Sequence, residues 1–402
     1  MLPHRVRRAA PLLVAFLLAL LPLTLVRDAG AYPWMIRHEY TGCGMCHADP
    51  MGGSVLTEYG RAQGELLLRM HYGEATDEDM DPGTISGFAW GAFTPPEWLL
   101  LGGSVRALGI STKSEGADAQ QRFVQMQADL RAVVQVDSFR AGGSLGYMHE
   151  GALYSRLTHN EKDNLVSREH WAGASLMEDA LLVRAGRLNL PFGVRSIEHT
   201  AWIRKATRTD INDGQQHGLA AAYSGETVRG EVMAILGNFQ MNPDDFRERG
   251  YAGFVEWTPA QRLAFGFESL VTSSLLDIRD GVTTLRQAHG AYVRAAPWQP
   301  LVLTLEGSSL VKSPAGAATV LGYVGSLQGD YEIHQGLHGI LMGEILNDGS
   351  LGSRPSLGGW VSAAWFFAPH VDLRLDSIVR NEPTPDSSAT SYSLLMQLHA
   401  YL

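Results

Sequence analysis

Cys43-Gly44-Met45-Cys46-His47 is the stretch of this chain best equipped for chemistry. Two thiols with two residues between them, followed at once by an imidazole, form the CxxCH pattern of c-type haem attachment. The cysteines add across the porphyrin vinyl groups, and the histidine reaches the iron from one face. A disulfide or a redox dithiol uses the same C-x-x-C spacing. Here the two cysteines are the only ones in 402 residues, His47 follows directly, and an export signal stands upstream; together these favour haem c. The second axial ligand is open. His71, Met70 and Met80 are the leading distal candidates, and Met35, His38 and Met51 are further ones. Methionine would raise the potential relative to histidine, while apolar packing is the ordinary role of any single methionine.

Positioning these residues begins with export. Arg5, Arg7 and Arg8 open the chain, Leu12 to Val26 is almost wholly apolar, and Ala29-Gly30-Ala31 matches a small-x-small cleavage site. Residues 1–31 therefore read as a signal peptide rather than an anchor. Covalent haem is added after export in bacteria, so both signals agree on a compartment outside the cytoplasm. The leader carries Arg5, Arg7, Arg8 and Arg27 against Asp28, so removing it takes the net charge from -10 to near -13. Such acidity argues against nucleic-acid binding and suits a chain that meets cations.

No later segment has the roughly 18 to 20 continuous apolar residues of a membrane helix. The chain instead alternates. Val371, Leu373, Leu375 and Val379 interleave with Asp372, Arg374, Asp376 and Arg380; Val124, Met126, Ala128, Leu130, Ala132 and Val134 interleave with Gln125, Gln127, Asp129 and Arg131. Period two over ten to thirteen residues is the mark of a membrane-crossing strand with one greasy and one wet face. About sixteen such segments run from Trp98 to Leu402. Short connections around Ser138, Asp179, Gly225-Glu226, Pro259-Ala260, Pro297-Trp298, Gly329-Asp330 and Ala368-Pro369 alternate with long polar ones at 150–165, 191–215 and 238–247. That asymmetry predicts an all-β fold: a transmembrane antiparallel β-barrel in the outer membrane, reached through the periplasm, with a lumen rather than a packed core. Trp257, Trp298, Phe366 and Phe367 beside proline turns suit an aromatic girdle.

The predicted organisation is a signal peptide at 1–31, a short helical cytochrome segment at 32–83 and a porin-like barrel at 84–402. Residues 84–93 fit either an extra strand or a segment along the lumen. A segment of about fifty residues has little protein with which to cover a haem, so the barrel is expected to shield it. The loop 191–215, with Arg195, His199, Trp202, Arg204, Lys205 and Arg208, could fold inward and favour anions. Glu332, His334, His338 and Glu344 on one wet face could hold a cation. No nucleophile–histidine pair, phosphate loop or paired carboxylates stand out, so no catalytic residue is expected.

The CxxCH motif, then Leu56-Thr57-Glu58-Tyr59-Gly60-Arg61, then Met70-His71-Tyr72-Gly73, ahead of a sixteen-stranded barrel, resembles the fused outer-membrane monohaem cytochrome–porin family. Ala48 stands where that family often carries threonine. The resemblance implies Cys43 and Cys46 as thioether attachments and His47 as proximal iron ligand. It also implies electron transfer from an extracellular donor, ferrous iron, to a soluble periplasmic cytochrome, an iron:cytochrome c oxidoreductase activity. Two other expectations stand beside it: a substrate-specific porin with the haem segment as plug or redox gate, and a barrel scaffold for a separate multihaem partner.

Overall fold

The computed structural model describes residues 33–72, 85, 87–147, 165–196, 198, 200–211, 214–350 and 354–402. The signal peptide, Gly73, Met80, His199 and Asp213 lie outside the described residues.

The alternating segments form one antiparallel sheet. Its strands are β1 (Leu99–Ser114), β2 (Gln120–Val136), β3 (Phe139–Tyr147), β4 (Leu165–Val166), β5 (His170–Leu176), β6 (Leu181–Leu188), β7 (Gln216–Ser224), β8 (Val228–Gly237) and β9 (Arg249–Ala260). They continue as β10 (Leu263–Ser274), β11 (Thr284–Trp298), β12 (Leu301–Pro314), β13 (Val320–His334), β14 (Leu337–Asn347), β15 (Ser356–Ala368), β16 (Val371–Pro383) and β17 (Ser388–Tyr401). Apart from β4 and β5, each pairs with its neighbour in sequence, and β1 pairs with both β2 and β17, so the sheet closes and no edge is left. The two-residue β4 and β5 both pair with β3 and form one interrupted stave. The barrel therefore has the expected sixteen staves.

Alternation decides which residues face lipid. On β16, Leu375 and Val379 are exposed on the outer surface while Asp372, Arg374 and Asp376 are buried in the lumen. The outer apolar surface is what hydrocarbon would cover. Inside, ion pairs line the wall: Arg374 meets Asp376 at 2.8 Å, and Glu256 takes Arg229 at 2.7 Å and Arg294 at 2.6 Å. The tight connections sit on one rim, for example 137–138, 225–227, 261–262 and 335–336, and the long ones on the other. By the barrel rule the short-turn rim faces the periplasm.

One hairpin differs from the expectation. Gly329-Asp330 resembles a turn dipeptide, yet β13 runs straight through it, with Asp330 paired to Val302. The chain reverses at Gln335-Gly336, where Gly336 has φ 79°, a conformation glycine adopts without a Cβ clash. Phe366 also departs from the girdle reading. It is buried, with its ring 6.0 Å from Trp34, whereas Trp257 and Trp298 are exposed on the outer surface as expected. Residues 87–98 contain no strand; Phe88–Gly91 is a 3-10 turn, and Trp90 donates to the Pro369 carbonyl at 2.9 Å.

Candidate functional site

Residues 33–72 lie inside the barrel and are tied to its wall on many sides. Pro33–His38 forms a 3-10 turn. There Arg37, fully buried, pairs with Asp330 of β13, and its Nη1 is 3.4 Å from Glu332. Arg294 of β11 donates to the Thr41 carbonyl at 2.7 Å. Asp49 accepts from Asn189 at 3.0 Å and pairs with Arg184 of β6 at 3.4 Å. At the far end the Met70 amide donates to the Phe366 carbonyl at 2.9 Å, and Gln335 Nε2 donates to the Leu66 carbonyl at 2.7 Å. These contacts span β6, β11, β13 and β15, so the segment fills the lumen as a plug.

The CxxCH residues form one turn of the plug. The His47 amide donates to the Cys43 carbonyl at 3.0 Å and the Cys46 amide to the same oxygen at 3.2 Å, which closes the five residues into a helical turn. Helix α1 (Glu58–Leu67) is built onto it. Thr57 caps α1, its Oγ accepting from the Gly60 amide at 3.0 Å and donating to the Met45 carbonyl at 2.5 Å. The Thr57 amide donates to the Cys46 carbonyl at 3.0 Å, and Arg61 donates to the Leu101 carbonyl of β1. The Leu-Thr-Glu-Tyr-Gly-Arg stretch thus has a physical purpose: its threonine, glycine and arginine clamp the turn between α1 and the wall. At Gly60 a side chain has no room, since a Cβ there would sit 2.7 Å from Cys46 Cα. Gly60→Val is therefore expected to push α1 off the turn and cut covalent haem incorporation several-fold, read as haem stain per barrel.

Two cavities meet at His47. One, of about 150 Å³, is lined by Met35, Cys46, His47, Gly60, Arg195 and His399 among others. The second, of about 350 Å³, opens at the short-turn rim beside Asp179 and Glu226 and is lined by Met45 and His47. Cys43 Sγ lies 3.7 Å from Arg229 Nη1. Burial, and secondarily Cys43, pushes the Cys46 thiol up to about 12. A redox dithiol works through a low-pKa thiolate, so this environment disfavours that reading. His47 Nδ1 is buried without a hydrogen-bond partner among the described residues. The residues present fit haem c: a closed CxxCH turn, a buried neutral imidazole at its end and space beside it.

Burial holds the His47 imidazole down at about 4, against an ordinary 6.5, although Asp49 works in the opposite sense. The ring is neutral at physiological pH, as a metal ligand must be. In haem-free chain this makes docking of the plug acid-sensitive. An undocked His47 binds its proton near 6.5 and a docked one near 4, so docking is at full strength above 6.5 and loses up to about 3 kcal/mol as pH falls through 4. Protease cleavage within 33–72 of haem-free protein is expected to rise across that window; a flat profile would contradict it.

The comparisons with known proteins bear on the barrel. OmpT of Vibrio cholerae superposes with a TM-score of 0.57, covering 77% of this chain and 99% of its own at 9% identity. An anion-selective porin from Comamonas acidovorans gives 0.56, covering 76% and 99% at 10% identity. The outer membrane channel DcaP of Acinetobacter baumannii gives 0.51, covering 76% and 97% at 14% identity. The chain has the outer-membrane porin fold. Neither a family sequence model nor a curated protein sequence matches it. At these identities the likeness concerns the fold.

Within this porin barrel the loop between β6 and β7 folds inward as expected. Its helix α2 (Trp202–Thr207) packs across the lumen against β12, β13 and β14. Its basic residues are largely neutralised: Arg204 pairs with Glu306, and Arg208 pairs with Glu248 at 2.7 Å and Asp277 at 2.8 Å. Arg195 is different, its Nη1 and Nη2 being buried without a hydrogen-bond partner among the described residues. Among the distal candidates, Met70 Sδ accepts from Trp365 Nε1 at 3.4 Å, and His71 Nε2 lies 3.1 Å from the Glu65 carbonyl. Neither lines the cavity at His47, whereas buried Met35 does. The suggested cation set does not converge. His338 meets Asp330 at 3.0 Å, while Glu344 is held by the Trp202 amide, Trp360 and Arg380. Among the described residues no three metal-ligating side chains come together.

Proposed function

We propose that this outer-membrane barrel is an electron-transfer protein carrying one covalent haem c, which exchanges electrons between an extracellular donor, ferrous iron foremost, and a soluble periplasmic carrier. The observation that supports this most is the closed Cys43–His47 turn, held inside the lumen beside a cavity that opens at the short-turn rim. Cys43 and Cys46 would hold the porphyrin and His47 would ligate its iron. Bound there, haem c supplies a reversible one-electron site. The chain's own residues do no bond chemistry: α1 and Arg61 fix the turn, the plug excludes water, and the barrel insulates the site. The rim at Asp179 and Glu226 is where a periplasmic cytochrome would reach it.

A second reading is a substrate-specific porin gated by the plug. It draws support from the fold shared with an anion-selective porin and from the infolded loop. A third, a scaffold for a multihaem partner, follows from one haem having to serve roughly 30 Å of hydrocarbon.

Stopped-flow mixing of the oxidised, haem-loaded protein with ferrous iron under anaerobic conditions tests the first reading. Fast reduction of the haem absorption by iron, as by a ligand-silent control reductant, supports it. Reduction by the control but not by iron removes iron as donor.

A further inference from the structure

We propose that Arg195 is an anchoring residue for a porphyrin propionate, so that the infolded loop of the barrel, and not only the cytochrome segment, holds the haem. The inference rests on the haem reading above and deepens it. Three observations carry it.

Arg195 lines the same cavity as Cys46 and His47, and its charge is among those that bear on both His47 and Asp49. Its two terminal guanidinium nitrogens are buried without a hydrogen-bond partner among the described residues. A guanidinium left so carries the desolvation cost of a charge with none of the hydrogen bonds that offset it. The neighbouring loop arginines show what this fold does otherwise, since Arg204 and Arg208 each have dedicated carboxylates.

The carboxylates near Arg195 each have another partner, Glu231 among them, which pairs with Arg184 at 2.6 Å through Oε1 while its Oε2 has no hydrogen-bond partner among the described residues. Asp49 is held by Arg184 and Asn189, Glu169 accepts from Asn189 at 2.8 Å, and Glu65 pairs with Arg69. Across the cavity Arg131 shares Asp129 with Arg168, at 3.3 and 3.0 Å, which leaves that wall rich in positive charge. A planar fork with two unfilled donors matches a carboxylate, and haem is a ligand that brings carboxylates to a site beside a CxxCH turn.

The full-length chain, matured with haem, carries the test as wild type, Arg195→Gln and Arg195→Lys. Pyridine haemochrome gives covalent haem per chain, protease resistance gives folding, and equilibration with redox dyes gives the haem's redox equilibrium. Removing a nearby positive charge favours the ferric form, so Arg195→Gln should shift that equilibrium towards oxidised by about tenfold, with Arg195→Lys close to wild type. Haem-loaded, folded Arg195→Gln with wild-type redox behaviour overturns the assignment and leaves the haem reading intact. A wild-type chain that matures without covalent haem overturns both. A wild-type equilibrium that moves towards reduced when chloride is exchanged for a bulky sulfonate, with no such movement in Arg195→Gln, assigns the site to a free anion and also overturns it.

Discussion

Substituting serine for both Cys43 and Cys46 is expected to remove essentially all covalent haem while leaving a folded barrel in the outer membrane. The two effects separate because of where the contacts lie. The wall is closed by strand pairing from β1 round to β17, and the cysteines contribute to it only a long contact between Cys43 Sγ and Arg229. The plug is held to the wall by Arg37, Arg61, Asp49 and backbone groups, none of which depends on a thiol. Loss of haem therefore should not release the barrel. Haem stain on a denaturing gel reads the first effect, and heat-modifiable migration of the folded barrel reads the second. Each single serine variant should keep a minority of attached haem through its remaining thioether, and His47→Ala should lose the spectrum of a histidine-ligated iron. Haem stain undiminished in the double variant would end the CxxCH assignment, and with it the electron-transfer reading.

The barrel was legible because lipid on one side and a wet lumen on the other force period-two patterning, residue by residue, as in Asp372 to Arg380. The short-turn and long-loop asymmetry was legible for the same local reason. The hairpin at 335–336 was missed because Gly329-Asp330 has turn composition, and only the pairing partner, Val302, shows that it sits mid-strand. That the barrel covers the cytochrome segment was legible from the segment's small size, but the contacts that dock it were not. Its ion pairs join residues nearly three hundred positions apart, such as Arg37 and Asp330, and nothing in either neighbourhood names the other. The CxxCH motif was plain, yet the roles of Thr57, Gly60 and Arg61 emerged only with the geometry. A glycine next to an arginine carries a clear meaning once Cys46 is seen against it. In the sequence Arg195 is one basic residue of a long loop; that its terminal nitrogens have no carboxylate among the described residues, where Arg204 has Glu306, is a three-dimensional fact. Met35 entered the sequence reading only as a further ligand candidate, because proximity to His47 across a cavity leaves no trace in spacing.

Deleting residues 33–72 is expected to turn a nearly non-conducting barrel into a channel. Sixteen staves enclose more space than their own side chains fill, and here the plug and the infolded loop occupy it. In planar bilayers the intact chain should show only background current. The deleted form should show discrete steps at least roughly tenfold larger, since a sixteen-stranded barrel without its plug leaves an aqueous path. The loop 189–215 would remain in that path with Arg195, while Arg184 keeps Glu231 at 2.6 Å and Asp330 and Glu332 lose Arg37. Large conductance in the intact, haem-loaded chain would mean that the plug leaves a pore beside it, which favours the gated-porin reading over an insulated electron route. A deleted form that stays closed would mean that the loop alone seals the lumen. Electrons need no aqueous pore, whereas a porin substrate does, so the state of the lumen in the intact protein separates the two functions more sharply than any property of the haem.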